Sequence, residues 1–157
     1  MRTQVVYESF FGNTEQIARK IADALRAFGT VKVAKAGAGM PDFAGVDLLV
    51  IGCPIIQWKP SAGMGAYLAK VTPAMVKGLH FASFDTRVRG PKFITGEGGL
   101  IVKAQLEEMG AVAIAEPARF YVRGKQGPLE QKEPEHAVRW ALELALKMKA
   151  LTGVASA

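Results

Sequence analysis

The turn between the first apolar run and the first amphipathic segment constrains the fold of this chain most. The run that ends at Tyr7 is short and apolar, and it predicts a strand buried on both faces. Residues 14–28 carry apolar side chains at i, i+3 and i+4 spacing, which predicts a helix. A strand that turns directly into a helix leaves several backbone N–H groups at one spot, at the positive end of the helix dipole. Such a turn predicts an anion site.

The residues of this turn favour phosphate as the anion. Ser9, Asn13 and Thr14 add side-chain donors, and Gly12 allows a positive φ or a close approach of the backbone. An ordinary capped helix is the alternative, with Asn13 as N-cap and Gln16 completing a capping box. The turn alone does not choose between these interpretations.

Composition limits the remaining classes of protein. The chain has 157 residues, of which 50% are hydrophobic, and this length suits one domain. One cysteine and no long apolar run predict a cytoplasmic protein with no internal disulfide and no membrane span. The net charge of +6 raises the question of whether the protein binds nucleic acid. Because the basic residues are spread along the chain, we expect no nucleic-acid partner.

Strand-like and helix-like segments alternate after the first helix. The alternation predicts neighbouring parallel strands joined by right-handed helical crossovers. The further strands are expected at 31–34 on an edge, at 46–54 in the centre, at 80–84, and at 111–122 with a bend near Pro117. The further helices are expected at 62–70, at 98–109 and from about 133 onward, with a frayed tail at 152–157.

Three stretches of the sequence resemble the flavodoxin family. They are Ser9-x-x-Gly-Asn-Thr-Glu after Val-Val-Tyr, Val50-Ile-Gly-Cys-Pro-Ile-Ile-Gln-Trp, and Ser83-Phe-Asp-Thr-Arg. With Phe120-Tyr-Val-Arg-Gly-x-x-Gly-Pro-Leu, the chain is similar to a group of small bacterial flavodoxin-domain proteins. The resemblance implies one α/β doubly wound domain over 1–157, with a five-stranded parallel sheet in the order 2-1-3-4-5 and helices on both faces. It also implies FMN as cofactor, at the switch point between the first and third strands.

The resemblance assigns two groups of cofactor-binding residues. The phosphate group is Ser9, Phe10, Phe11, Gly12, Asn13 and Thr14. The group flanking the isoalloxazine is Pro54, Ile55, Ile56, Gln57 and Trp58, together with Phe84, Asp85, Thr86 and Arg87. Trp58 offers a π surface for stacking, and its alternative role is a partly buried packing residue at the base of its loop. Asp85 is expected either to bond a flavin N–H or to cap the following turn.

Three features depart from the family pattern. Phe11 stands where flavodoxin loops commonly carry a hydroxyl residue, and the chain is basic where electron carriers of the family are acidic. Arg87 and Arg89 are expected in the loop beside the flavin ring. The second aromatic residue against the ring is either Phe84, which can instead point into the core, or Tyr121.

These observations predict an FMN-binding redox protein that transfers electrons to a partner protein or a small-molecule acceptor. One alternative is an FMN-dependent reductase of quinones or similar acceptors. Another is a binding or regulatory module of the same fold that has lost FMN. The sequence supplies neither a nucleophile with its base nor a group of metal ligands, so no catalytic or metal-binding residue is expected.

Overall fold

The computed structural model describes residues 1–91 and 95–155. The strands are β1 (Arg2–Tyr7), β2 (Thr30–Lys35), β3 (Leu48–Ile56), β4 (Lys59–Pro60), β5 (His80–Val88), β6 (Val112–Ala113) and β7 (Ala118–Val122). The helices are α1 (Asn13–Leu25), α2 (Ala62–Leu68), α3 (Pro73–Val76), α4 (Gly98–Glu108) and α5 (Glu133–Ala155), and a 3-10 turn (Arg26–Phe28) follows α1.

The sheet confirms the flavodoxin-like order of strands. β2, β1, β3 and β5 lie side by side and parallel, and β6 and β7 both pair with the outer side of β5. β6 and β7 are two pieces of the expected fifth strand, so the order 2-1-3-4-5 holds. β4 adds a short antiparallel pairing to the end of β3, so the sheet formed by the described residues has seven strands, whereas five were expected.

The split of the fifth strand occurs at the expected bend. Phe81 pairs with Ala113 and Phe84 pairs with Ala118, so four residues, 114–117, stand opposite two residues of β5. Pro117 is one of these four residues, and it has no N–H to donate to the hydrogen-bond ladder of the sheet. Two separate short strands are the result.

Helices cover both faces of the sheet and enclose two hydrophobic cores. One core lies under α1 and α5 and includes Ile17, Ile21 and Leu144, all fully buried. The other lies against α2, α3 and α4 and includes Met64 and Leu106. Each such side chain contributes about 1.5–3 kcal/mol through burial. These layers hold the carboxyl ends of β1, β3 and β5 together at one edge.

Several boundaries differ from those expected from the sequence. β5 continues to Val88 and not to Phe84, because its polar end pairs with both β3 and β7. β3 continues to Ile56, where a loop was expected. α5 runs to Ala155 and does not fray from Thr152, and residues 156–157 lie outside the described chain. Within the described residues, no helix combines the length and apolarity needed to cross a membrane.

Candidate functional site

The turn after β1 has the conformation expected of an anion loop. Gly12 is the N-cap of α1 and has a left-handed φ of +88°, a conformation that glycine adopts without strain. Its N–H donates to Ser9 Oγ at 3.0 Å. The alternative in which Asn13 caps the helix is therefore wrong, because Asn13 is already the first helical residue.

The start of α1 leaves backbone donors available. Gln16 makes the first backbone hydrogen bond of the helix, to the carbonyl of Gly12 at 3.0 Å. The N–H groups of residues 13–15 precede it and have no intrahelical acceptor. They form the positive end of the helix dipole beside Ser9, whose hydroxyl still has its own hydrogen to donate.

The two polar side chains at this helix start serve contacts within the protein. Asn13 Nδ2 donates to the carbonyl of Gln126 at 3.2 Å. Thr14 Oγ1 and Thr86 Oγ1 share a buried hydrogen bond of 2.7 Å. These bonds fasten the turn to β5 and to the loop after β7. The role of Asn13 and Thr14 as side-chain donors to phosphate stays a prediction.

A hairpin at the end of β3 forms the apolar wall of the site. Ile55 and Ile56 pair with Pro60 and Lys59 of β4, and Gln57 and Trp58 form the two-residue turn between them. Trp58 is 57% exposed, so much of its surface is open to a ligand, and its role in stacking stays a prediction.

Residues 96–98 support this hairpin from the core side. A Cβ at Gly96 would collide with the backbone of Trp58, and one at Gly98 would lie 2.9 Å from Ile55 Cγ1. Glycine at position 96 lets this segment pack against the main chain of the hairpin, and glycine at position 98 leaves room for the side chain of Ile55. The hairpin is thereby seated on residues that precede and begin α4.

The side chains at the end of β5 point alternately to the two faces of the sheet. Phe84 is fully buried against Phe120 and Trp140, with ring centroids 5.8 and 6.1 Å apart, so it points into the core and away from the cavity. Thr86 reaches α1 through its bond to Thr14. Asp85 and Arg87 face the opposite side, toward the start of α4.

Asp85 and Arg87 form a buried ion pair. Arg87 donates through Nε and Nη2 to the two carboxylate oxygens of Asp85 at 2.7 and 2.6 Å, and through Nη1 to the carbonyl of Gly96 at 2.7 Å. Burial opposes the charge of Arg87, but its hydrogen bonds to Asp85 and the negative charge of that carboxylate outweigh burial and raise the pKa of the guanidinium. Asp85 also accepts the N–H of Gly99 at 2.9 Å. Asp85 therefore satisfies a backbone donor at the start of α4. It does not cap a turn directly after it, because β5 continues to Val88, and its bond to a flavin N–H stays a prediction.

Arg89 does not lie where the sequence analysis expects it. It donates to both carboxylate oxygens of Glu130 at 2.8 to 3.1 Å, and its guanidinium lies 4.1 Å from the ring centroid of Tyr121. Neither Arg89 nor Tyr121 lines the cavity described below. Arg87 lines it, but within strand β5 and paired with Asp85. Both arginines are thus neutralised by carboxylates.

A cavity of about 360 Å³ joins the anion turn to the hairpin wall. It lies at the carboxyl ends of β1, β3 and β5. Of the expected site residues, it is lined by Ser9, Phe10, Phe11, Asn13, Thr14, Pro54, Ile55, Ile56, Gln57, Trp58, Thr86 and Arg87. Gly12, Phe84 and Asp85 do not line it. Phe10 and Phe11 are about half exposed at its mouth, and they replace Phe84 and Tyr121 as candidates for a second aromatic contact.

Sequence reasoning missed four residues that line the cavity: Val88, Thr95, Val122 and Lys125. Val88 and Val122 form a register pair where β5 and β7 end, beyond the strand boundary expected at Phe84. Lys125 lies in the loop after β7, between Gly124 and Gly127. The glycines signal a tight turn in the sequence, but nothing there signals its contact with the anion turn.

Cys53 lies in β3 next to the site and is fully buried. Burial, with the nearby negative charge of Asp85, raises the pKa of its thiol to about 12. A thiol with this pKa is protonated at neutral pH and is a poor nucleophile. The interpretation of Cys53 as an inert packing residue agrees with this environment.

Comparison with known proteins agrees with the fold and the expected family. A family model described as a flavodoxin domain matches residues 4–76. A search of curated proteins gave no match. A flavodoxin from the domain Archaea has 20% identity and a TM-score of 0.78, over 95% of this chain and 99% of that one. Oxidised flavodoxin 2 from Bacillus cereus has 20% identity and a TM-score of 0.78, over 94% and 99%.

The same fold also occurs within longer proteins. Rubredoxin oxygen:oxidoreductase from Desulfovibrio gigas has 18% identity and a TM-score of 0.74, and the match covers 95% of this chain but 36% of that enzyme. Residues 4–76 carry the sequence pattern of a flavodoxin domain, and the described chain has the flavodoxin fold.

Proposed function

We propose that this protein binds FMN in the cavity between the anion turn and the β3–β4 hairpin and acts as a flavodoxin-type electron carrier. One observation carries the proposal: a single cavity joins free backbone donors at the start of α1 to an apolar wall that bears an exposed tryptophan. A phosphate at one end and a flat ring at the other are the two features that distinguish FMN.

At the phosphate end, the N–H groups of residues 13–15 and the hydroxyl of Ser9 would bind the anion. Gly12 presents open space, since nothing lies within 4 Å of the position of a Cβ there. The chemistry of these donors fits a phosphate, and the helix dipole adds an attraction of about 0.3–1 kcal/mol.

At the ring end, Trp58 and Ile56 present apolar surface that the ring would cover. The isoalloxazine would stack on the indole of Trp58 in an offset arrangement, which contributes about 0.5–1.5 kcal/mol beyond area burial. Phe10 and Phe11 would limit the access of water from the opposite side. FMN supplies the redox chemistry when bound, and these residues hold and orient it.

The cavity lining favours a carrier over an enzyme. Among the described residues, the lining contains no histidine, cysteine, aspartate or glutamate. It therefore lacks histidine and the carboxylates, which are the side chains that most often transfer protons in enzymes. A reductase of quinones or similar acceptors is the second candidate, because the exposed faces of Trp58 and Ile56 leave room for a flat acceptor.

The acceptor is proposed to be a redox protein or a small molecule with negative charge. Lys125 lines the cavity and Lys59 follows Trp58 in the hairpin, while Asp85 and Glu130 near the site are neutralised by arginines. A cytoplasmic location is proposed as well, since the one cysteine is unpaired and buried.

Titration of the purified apoprotein with FMN tests the proposal. We expect saturable binding at one site, with a change in flavin absorbance. Absence of saturable binding would leave a module without cofactor, an outcome to which Phe11 and the engaged Thr14 hydroxyl would contribute. Turnover of a quinone with a nicotinamide donor would favour the reductase. Stoichiometric electron transfer from the chemically reduced protein to an added acceptor, without turnover of the nicotinamide donor, would support the carrier.

A further inference from the structure

We infer that Lys125 binds the phosphate of the cofactor and sets the preference of this protein for FMN over riboflavin. This inference rests on the proposed function and extends it to a residue that lies far from the anion turn in the sequence. It adds a cation to the backbone and side-chain donors that the sequence predicts at the anion turn.

The loop of residues 124–127 is seated directly on the anion turn. Asn13 Nδ2 donates to the carbonyl of Gln126 at 3.2 Å, and the N–H of Gly127 donates to the carbonyl of Gly124 at 2.9 Å to close the loop. Gly127 has a φ of +100°, and a Cβ there would lie 2.6 Å from Asn13 Oδ1. Only glycine permits this approach. Asn13 thus fixes the position of the loop against the helix start.

This seating brings the side chain of Lys125 to the cavity wall that Ser9, Asn13 and Thr14 also line. Its ammonium group carries a full charge and three donors. No carboxylate among residues 1–91 and 95–155 forms an ion pair with it, and the closest acidic residue along the chain, Glu130, is bound by Arg89. The charge of Lys125 is therefore available to a ligand.

Arg87 is the other cation in the lining, but Asp85 neutralises it and fixes its geometry. The cavity thus has one uncompensated cation among its described lining residues, and it lies beside the donors at the start of α1. A phosphate dianion placed there would be attracted by Lys125, whereas riboflavin has no such charge. Lys125 also supplies a donor to a turn in which Phe11 provides no side-chain donor.

The test compares Lys125→Gln with Arg123→Gln in titrations of apoprotein with FMN and with riboflavin. The two variants lose the same charge from the same loop, but Arg123 does not line the cavity. Lys125→Arg keeps the charge. Thermal melting of each apoprotein checks that the fold is retained.

We expect Lys125→Gln to weaken FMN binding by about tenfold at low salt, as removal of one charge contact near a protein surface should. Riboflavin binding should be unchanged, Arg123→Gln should resemble the wild type with both ligands, and Lys125→Arg should restore FMN affinity. The difference between wild type and Lys125→Gln should shrink at about 1 M salt, where the Debye length is about 3 Å.

Equal FMN affinity in Lys125→Gln and the wild type would overturn the inference, as would an equal loss of riboflavin and FMN affinity. An equal effect of Arg123→Gln would also overturn it, because the charge would then act without contact. A wild-type protein that binds neither ligand would instead refute the proposed function.

Discussion

Removal of Asp85 is expected to destabilise the protein far more than the loss of an ordinary surface charge. Asp85→Ala deletes the acceptor of two hydrogen bonds from Arg87 and one from the N–H of Gly99. The guanidinium would remain in a site where the Arg87 side chain is 5% exposed. An unpaired buried charge costs about 3–5 kcal/mol.

The size of this loss depends on which hydrogen bonds Arg87 can still make once Asp85 is removed. Arg87 would keep its bond to the carbonyl of Gly96, but water cannot readily reach its other donors in so enclosed a position. Arg87→Met, which leaves the Asp85 carboxylate buried, should cost a similar amount. In Asp85→Ala/Arg87→Met no buried charge is left, so its cost should fall below the sum of the single costs by at least about 2 kcal/mol.

Urea unfolding followed by far-ultraviolet circular dichroism measures these differences as free energies of unfolding. Arg89→Gln is the matched control, because Arg89 makes the same type of pair with Glu130 at an exposed position and should show a much smaller change. A loss below about 1 kcal/mol in Asp85→Ala, or additive costs in the double variant, would refute the reasoning. FMN affinity should fall in Arg87→Met, since Arg87 donates to the carbonyl of Gly96, which lies against the backbone of Trp58.

Three further predictions concern the site. Thr14→Ala should lower the free energy of unfolding by about 1–3 kcal/mol because Thr86 loses its buried partner, whereas Thr14→Ser should stay near the wild type; equal losses in both would contradict this account. In a Trp140→Phe variant, FMN should quench the emission of Trp58, and unaltered emission at saturation would place the ring elsewhere. Cys53 is fully buried and its pKa is raised to about 12, so at pH 8 thiol reagents should modify it only when the protein unfolds or opens locally. Rapid modification of the native protein at pH 8 would rule out this environment.

Apolar periodicity was sufficient to predict the centre of the fold. β1, α1 and β3 bury continuous or regularly spaced apolar residues. Such patterns are typical of central strands and of helices that pack on the core. The end of β5 could not be predicted in the same way. Asp85, Thr86 and Arg87 are polar and suggested a loop, although each is buried in a strand.

The partners of these polar residues explain the difference. Residues two apart on a strand share a face, so Asp85 and Arg87 can neutralise each other where neither would be buried alone. Their spacing and opposite charge were present in the sequence as a signal of this pairing. Thr86 depends on Thr14, which is distant in the chain, and no local pattern indicates such a bond.

The candidate site was predicted where it depends on local motifs and missed where it depends on distant contacts. The anion turn and the segment from Pro54 to Trp58 both line the cavity, as the family resemblance implied. Lys125 reaches it only because Asn13 binds Gln126 across 113 residues of sequence. Arg89 was expected there, but Glu130, 41 residues later, draws it away.

In the β3–β4 hairpin, the backbone conformation that places the Trp58 indole in the cavity wall also lowers the stability of the turn. Gln57 and Trp58 have φ values of +48° and +65°, so both central residues of the turn are left-handed. Asparagine followed by glycine suits such a turn, whereas residues with larger side chains cost about 1–2 kcal/mol each in this conformation. An engineer who optimised this turn for thermostability would choose Asn-Gly and would remove the indole from the cavity wall. The most accessible stabilising change in this segment is therefore also one that would strip the site of its largest aromatic surface.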